Sequence, residues 1–128
     1  MGQQQLLLII LGVIIVGIAI AVGLSLFSAQ SVQSNRDAMI NDLNNLAAQA
    51  YQFRIRPTSM GGGQGDYTTF SIPIKMRTNE NGTYAITTPG ADVIGITATS
   101  AQNSSNYITV NIDSDGHLTG WSYYGDFQ

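Results

Sequence analysis

Cysteine is absent from this chain of 128 residues, so the sequence excludes a disulfide framework and a thiolate metal site. Histidine occurs once, at His117, and a transition-metal site therefore lacks a second imidazole ligand. The five Lys and Arg residues form no basic cluster, whereas binding to nucleic acid depends on neutralising phosphates. We therefore expect no nucleic-acid partner and no cofactor.

Charge is also missing from the N-terminal part of the chain, because residues 1–35 contain no charged side chain. Within them, residues 6–27 have one polar side chain, Ser25, and sixteen Leu, Ile, Val or Phe. About 20 apolar residues at 1.5 Å each cross the hydrocarbon core of a bilayer. The run is too long, and lacks the preceding basic residues, for a cleaved signal peptide. It predicts a helix covered by lipid or by other copies of the chain.

Small residues recur at four-residue spacing in this predicted helix, which favours close helix–helix packing in an apolar environment. The two rows are Gly17, Ala21, Ser25 and Ala29, and Ala19 with Gly23. Glycine also weakens a helix by up to about 1 kcal/mol relative to alanine. We therefore expect that the helix melts locally at Gly12 and Gly17 when its surroundings change.

An amphipathic continuation of the helix is predicted for residues 28–57. One stripe recurs at steps of three and four residues, as expected for a helix with one buried face: Val32, Arg36, Met39, Leu43, Leu46, Ala50 and Phe53. Pro57 disfavours helix at the residue before it and so ends the run. A glycine-rich connector is predicted for residues 58–66.

The period changes to two in residues 67–128, which predicts a head of four or five short antiparallel strands in a meander. The first predicted strand, residues 67–76, places Phe70, Ile72, Ile74 and Met76 on one face and has Pro73 at a sheet edge. The others cover residues 82–88, 93–99, 107–112 and 117–124. The amphipathic half of the helix is expected to cover one sheet face, which gives an α+β fold.

The succession of an apolar N-terminal helix, an amphipathic continuation and a small antiparallel sheet resembles a type IV pilin or pseudopilin. The segment "NYITVNIDSDGHLTGW" is similar to the final hairpin of many bacterial pilin heads. The resemblance implies cleavage after a glycine by a prepilin peptidase, and Gly2 is the candidate, with Gln3 as the first mature residue. Alternatively Met1 is the mature N-terminus. The family's glutamate at the fifth mature position is replaced by Leu7 in the first register and by Gln5 in the second.

The resemblance further implies a structural subunit, not an enzyme, that polymerises through its apolar helix into a helical homopolymer with a methylated N-terminus. Its expected partners are other copies, the cytoplasmic membrane before assembly, the pilus assembly machinery and the prepilin peptidase. It is expected in the membrane first and then in an extracellular filament for adhesion or motility. A pseudopilin of a type II-like secretion system and a single-pass anchored extracytoplasmic binding module remain the alternatives.

Three polar motifs in the head are candidate sites. Asp113 and Asp115 in "DSDG" are weak candidates for calcium, but the motif lacks the spacing of an EF-hand loop and favours a hairpin turn. Asn81 and Asn103 each begin an N-x-[ST] pattern, the acceptor for N-glycosylation. No serine lies in a motif with histidine and aspartate, so we expect no catalytic residue.

Overall fold

The computed structural model describes residues 2–128 and shows an α+β fold. Helix α1 extends over Gln3–Ile55 and is followed by a four-stranded antiparallel sheet. The chain divides into two compact units, the first ending at Gln33 and the second covering Ser34–Gln128. The predicted fold class is therefore confirmed.

The first unit is helical from Gln3 onward, and the helix is unbroken at Gly12, Gly17 and Gly23. Every residue from Gly2 to Gln30 is exposed. A helix that is apolar on all sides has no polar face to turn toward water. The first unit is therefore helical because its sequence is continuously apolar and contains no proline, and not because it has an amphipathic stripe.

In the second unit, one face of α1 is buried against the sheet. The buried apolar side chains follow the predicted steps of three and four residues: Met39, Leu43, Leu46, Ala47 and Ala50. The helix ends at Ile55, two residues before Pro57, as its sequence predicts. The backbone N–H groups of Gly63 and Gln64 then donate to the carbonyl oxygens of Phe53 (2.8 Å) and Arg56 (3.0 Å). Residues of the glycine-rich connector thus cap the end of the helix.

The sheet has the strand order β1-β2-β3-β4, and every neighbouring pair is antiparallel. The strands are β1 (Gly82–Thr88), β2 (Ile94–Ser100), β3 (Tyr107–Ile112) and β4 (Leu118–Tyr124). The predicted strands 82–88 and 107–112 match, and the strands predicted from residues 93 and 117 each begin one residue later.

The face of the sheet turned toward α1 forms the core of the second unit. Tyr84 pairs with Ala98, which pairs with Ile108, and all three are buried. The residues adjacent to these three in the strands, Thr83, Thr97 and Thr109, lie on the opposite face of the sheet. Thr83 is exposed, and the other two threonines are partly exposed. This alternation of apolar and polar residues is the pattern that the sequence predicts.

The strand predicted for residues 67–76 is wrong. Residues 67–73 are irregular and Ile74–Arg77 form a single helical turn, α2. The shared apolar face does not exist, since Ile72 is buried while Ile74 is 81% exposed. Pro73 lies immediately before the turn with φ −55°, an angle that suits the start of a helix, and it has no N–H to donate to a sheet.

Candidate functional site: the apolar surface of helix α1

The candidate site is the side-chain surface of residues 6–27 of α1, which we term the apolar surface. Its sixteen Leu, Ile, Val and Phe side chains are each between 50% and 73% exposed, from Leu6 at 50% to Phe27 at 73%. Soluble monomers rarely expose contiguous apolar patches larger than a few hundred Å². Full burial of one such side chain contributes about 1.5–3 kcal/mol. Burial of the apolar surface against lipid or another apolar surface is therefore strongly favourable.

The helix is also long and apolar enough to cross a membrane by length and composition. Because the bilayer core contains no water, the backbone there must satisfy its hydrogen bonds internally, and an unbroken helix does so. A helix of this kind could anchor the chain in a membrane. It is exposed along the whole apolar window.

Glycines leave backbone uncovered within the apolar surface. A β-carbon built at Gly12, Gly17 or Gly23 meets no atom of this chain within 4 Å outside the helix itself. Ala21 and Ser25 continue the row from Gly17 toward the C-terminal end of the surface, and Ala19 lies in the row of Gly23. These positions therefore provide room for another helix backbone at close range. No residue described in the structure occupies that room.

Gly2 and Gln3, the candidate cleavage positions, lie where α1 begins. Gln3 is the first helical residue, and the carbonyl oxygen of Gly2 accepts a hydrogen bond from the N–H of Gln5 (3.1 Å). Both residues are exposed. The alternative register would begin at Met1, which lies outside the described residues. The cleavage register therefore stays a prediction.

In the second unit, the carboxylate of Asp42 connects α1 to the beginning of β1. Its Oδ2 accepts hydrogen bonds from Nδ2 of Asn79 (2.8 Å), from Nδ2 of Asn81 (2.9 Å) and from the Tyr84 hydroxyl (2.5 Å). We term these four residues the Asp42 cluster. Burial by itself raises the pKa of Asp42, but the hydrogen bonds from Tyr84, Asn81 and Asn79 outweigh it and hold the pKa below its usual value of 3.8. Burial and the neighbouring carboxylate raise the pKa of Tyr84.

Asn35 forms a second polar connection between the helix and the sheet. Its Nδ2 donates to the carbonyl oxygen of Asn81 (3.0 Å), and its Oδ1 accepts from the Ser100 hydroxyl. Asn35 and Ser100 are both buried, so each needs the other as a hydrogen-bond partner. Neither Asn35 nor Asp42 was predicted from the sequence, because apolar periodicity does not report polar positions beside the stripe.

Arg54 forms the third connection, near the end of α1. Its guanidinium donates to the carbonyl oxygen of Ser114 (2.6 Å) and to Oδ1 of Asp92 (3.1 Å), and lies 5.4 Å from the centre of the Tyr67 ring. Two turns of the sheet are thereby attached to the same side chain. All three connections lie within the second unit.

The motif "DSDG" forms the hairpin turn between β3 and β4, as expected. Oδ1 of Asp113 accepts from the N–H of Asp115 (2.9 Å) and of His117 (2.8 Å), and Gly116 has a φ of +83°. Ligand atoms of Asp113, Asp115 and His117 lie within 4.8 Å of one another. The structure therefore brings His117 beside the two weak metal candidates, although the backbone hydrogen bonds already account for the orientation of Asp113.

The two N-x-[ST] asparagines have different environments. Asn81 lies directly before β1 and belongs to the Asp42 cluster. Asn103 lies in the exposed loop that joins β2 to β3. The sequence pattern alone does not separate them.

Comparison with known protein families, with curated protein sequences and with solved structures found no match for this chain. What the structure supports is an architecture: a long apolar N-terminal helix with a small antiparallel sheet, which fits a pilin-like protein.

Proposed function

We propose that this chain is the major structural subunit of an extracellular helical filament of the type IV pilin kind, with surface adhesion or motility as its role. The observation that carries the proposal is the apolar surface, where sixteen large apolar side chains are exposed within residues 6–27 and no residue is charged. Identical helices packed side by side would bury it. The proposal assigns the chain no catalytic role.

In the proposed assembly, apolar helices of neighbouring copies stagger past one another and form the filament core. The helix backbones can approach closely along the row of small residues formed by Gly17, Ala21 and Ser25. A contact between two different surfaces that does not close a ring generates an open helical polymer. The polar face of the sheet, with its threonines, suits the outside of such a polymer.

Before assembly the same helix would hold the subunit in the cytoplasmic membrane. A prepilin peptidase would cleave at Gly2, or upstream of Met1, and the new N-terminus would be methylated. The assembly machinery would then transfer the helix from lipid to the filament core. Both environments are apolar, so the transfer preserves the burial of the apolar surface.

The test is negative-stain electron microscopy of material sheared from native cells, combined with mass spectrometry of the N-terminus. Thin uniform filaments that contain this chain are the expected result, and a methylated residue at Met1 or Gln3 identifies the register. The matched variants are Gly17→Leu and Val16→Leu. The first fills the small-residue row and should abolish filaments, whereas the second exchanges one large apolar side chain for another and should retain them.

A single-pass anchored module is the second candidate, because the helix satisfies the length and composition of a membrane span. It predicts that all of the chain stays in the detergent-solubilised membrane fraction and that Gly17→Leu has no effect. Filaments confined to the periplasm would instead indicate a pseudopilin. Either result would contradict the proposed surface filament.

A further inference from the structure

The two asparagines that begin N-x-[ST] patterns differ in whether their side-chain nitrogen is available. Nδ2 of Asn81 donates to the carboxylate of Asp42 (2.9 Å), so one of its N–H groups and the position of the nitrogen are held by the Asp42 cluster. The carbonyl oxygen of Asn81 also accepts from Nδ2 of Asn35 (3.0 Å) and from the N–H of Ala101 (3.1 Å). Side chain and backbone of Asn81 are therefore both part of the helix–sheet contact.

The other residues of the Asn81 motif are equally constrained. Gly82 and Thr83 are the first two residues of β1 and pair with Ser100 and Thr99 of β2. Gly82 is buried, and its N–H donates to Oδ1 of Asn79 (3.1 Å). An enzyme that binds this motif in an extended groove would have to separate β1 from β2 and break the Asp42 cluster.

Asn103 has the opposite environment. All five residues from Ala101 to Ser105 are exposed, and none of them belongs to a strand. Among the residues that the structure describes, Nδ2 of Asn103 has no acceptor. Its Oδ1 accepts from the N–H of Ser105 (3.0 Å), which turns the side chain back over its own motif.

We propose that Asn103 is the N-linked glycan acceptor of the folded chain and that Asn81, with the same sequence pattern, is not modified. The co-reactant is a glycan carried on a membrane polyprenyl pyrophosphate. Nδ2 of Asn103 attacks the anomeric carbon, the new C–N bond forms, and the bond from that carbon to the pyrophosphate oxygen breaks. The pyrophosphate leaves with the electron pair, and Nδ2 loses one proton. No oxidant or reductant is required.

This inference rests on the proposed function in one respect, because the glycan donor and its transferase face the extracytoplasmic side, where that function places the head. The two are tested by separate readouts on the same native material. Filaments without a glycan at Asn103 overturn this inference alone. A glycan at Asn103 on a chain that forms no filaments overturns the proposed function alone.

The first experiment is glycopeptide mass spectrometry of the native chain. The expected result is a glycan mass on the peptide that contains Asn103 and an unmodified peptide that contains Asn81. Ser105→Ala should reduce the occupancy of Asn103 to none because it removes the motif hydroxyl, and its neighbour Ser104→Ala should retain wild-type occupancy. Thr83→Val, which removes the hydroxyl of the other motif, should leave the total glycan mass unchanged. An unmodified Asn103, or a glycan on Asn81, overturns the proposal.

A second experiment separates geometry from sequence. The full chain in detergent, folded or denatured in urea and diluted, is incubated with an oligosaccharyltransferase of N-x-[ST] specificity and a polyprenyl-pyrophosphate-linked N-acetylglucosamine donor. The folded chain should be modified at Asn103 alone, and the denatured chain at both asparagines. Equal modification of Asn81 in the folded and denatured chains would show that the Asp42 cluster does not protect it, and would overturn the proposal.

Discussion

The carboxylate of Asp42 in α1 accepts three side-chain hydrogen bonds from the segment 79–84, which includes the start of β1. We expect Asp42→Asn to lower the free energy of unfolding by about 1–2 kcal/mol. The reason is that the asparagine amide places an N–H donor where the carboxylate oxygen accepted hydrogen bonds from three donors. The measurement is urea unfolding followed by circular dichroism. Glu80→Gln is the matched control, because Glu80 is exposed, and it should change stability by less than about 0.5 kcal/mol.

The same carboxylate predicts a pH dependence. Its pKa is lower in the folded chain than its usual value of 3.8, so the unfolded chain binds more protons between the two values. The stabilisation is therefore complete above pH 3.8 and is lost as pH falls through the lower pKa. The stability difference between wild type and Asp42→Asn should shrink as the solution is acidified below about pH 4. A difference that is constant from pH 7 to pH 2 would show that the carboxylate charge is irrelevant.

Two features of the hairpin turn disfavour any side chain at Gly116. It has a φ of +83°, and a β-carbon there would lie 2.8 Å from the ring of Tyr51. Gly65 has a similar φ of +90° but open space around it. Gly65→Ala should cost only the conformational term of about 1–2 kcal/mol, whereas Gly116→Ala should cost more because the Tyr51 ring must also move. Equal melting temperatures for the two variants would contradict this contact.

The two parts of helix α1 should respond differently to the same substitution. Leu43 is fully buried and Leu24 is 66% exposed. Leu43→Ala should destabilise the second unit by about 2–5 kcal/mol, because it leaves a cavity in the core. Leu24→Ala should leave the unfolding of that unit unchanged and weaken filament assembly instead. The measurements are thermal unfolding in detergent and the yield of sheared filaments, and a Leu24→Ala variant that unfolds earlier would contradict the separation.

The glycines of the apolar surface lead to a prediction about the helix during assembly. In the structure α1 is continuous through Gly12 and Gly17. We expect extended backbone near these residues in the filament, because glycine makes local melting less costly than alanine does. A cryo-electron microscopy map of the filament would show it. Continuous helix there as well would exclude melting.

For the whole chain, solubility should depend on the first unit. Removal of residues 1–33 deletes the entire apolar surface and leaves residues 34–128, which contain every residue of the buried core. We expect this fragment to be soluble without detergent and monomeric by sedimentation, with a cooperative unfolding transition. The full chain should require detergent or assembly. A fragment that aggregates would show that the second unit has a further exposed apolar interface.

Local periodicity is enough to predict the C-terminal end of α1 to within two residues, together with four strands and their antiparallel order. In each of these segments a long run of residues repeats one period, so many side chains indicate the same element. Residues 67–76 form too short a segment for periodicity to specify one element. Their alternating apolar residues are compatible with a strand, but Pro73 cannot donate to a neighbouring strand, and the chain packs Ile72 while it exposes Ile74.

The order of residues along the chain thus specifies which segments are helical or extended and which side of each is apolar, because these properties depend on neighbours within a few positions. The different environments of Asn81 and Asn103, the hydrogen bonds of Asn35 and the three donors to Asp42 depend on tertiary structure alone. The hydrogen-bond partners of Asn35 and Asp42 are 37–65 residues away in the chain. Hydrogen bonds over such separations exist only once the helix and the sheet have packed together, and no local pattern encodes which polar groups will then meet.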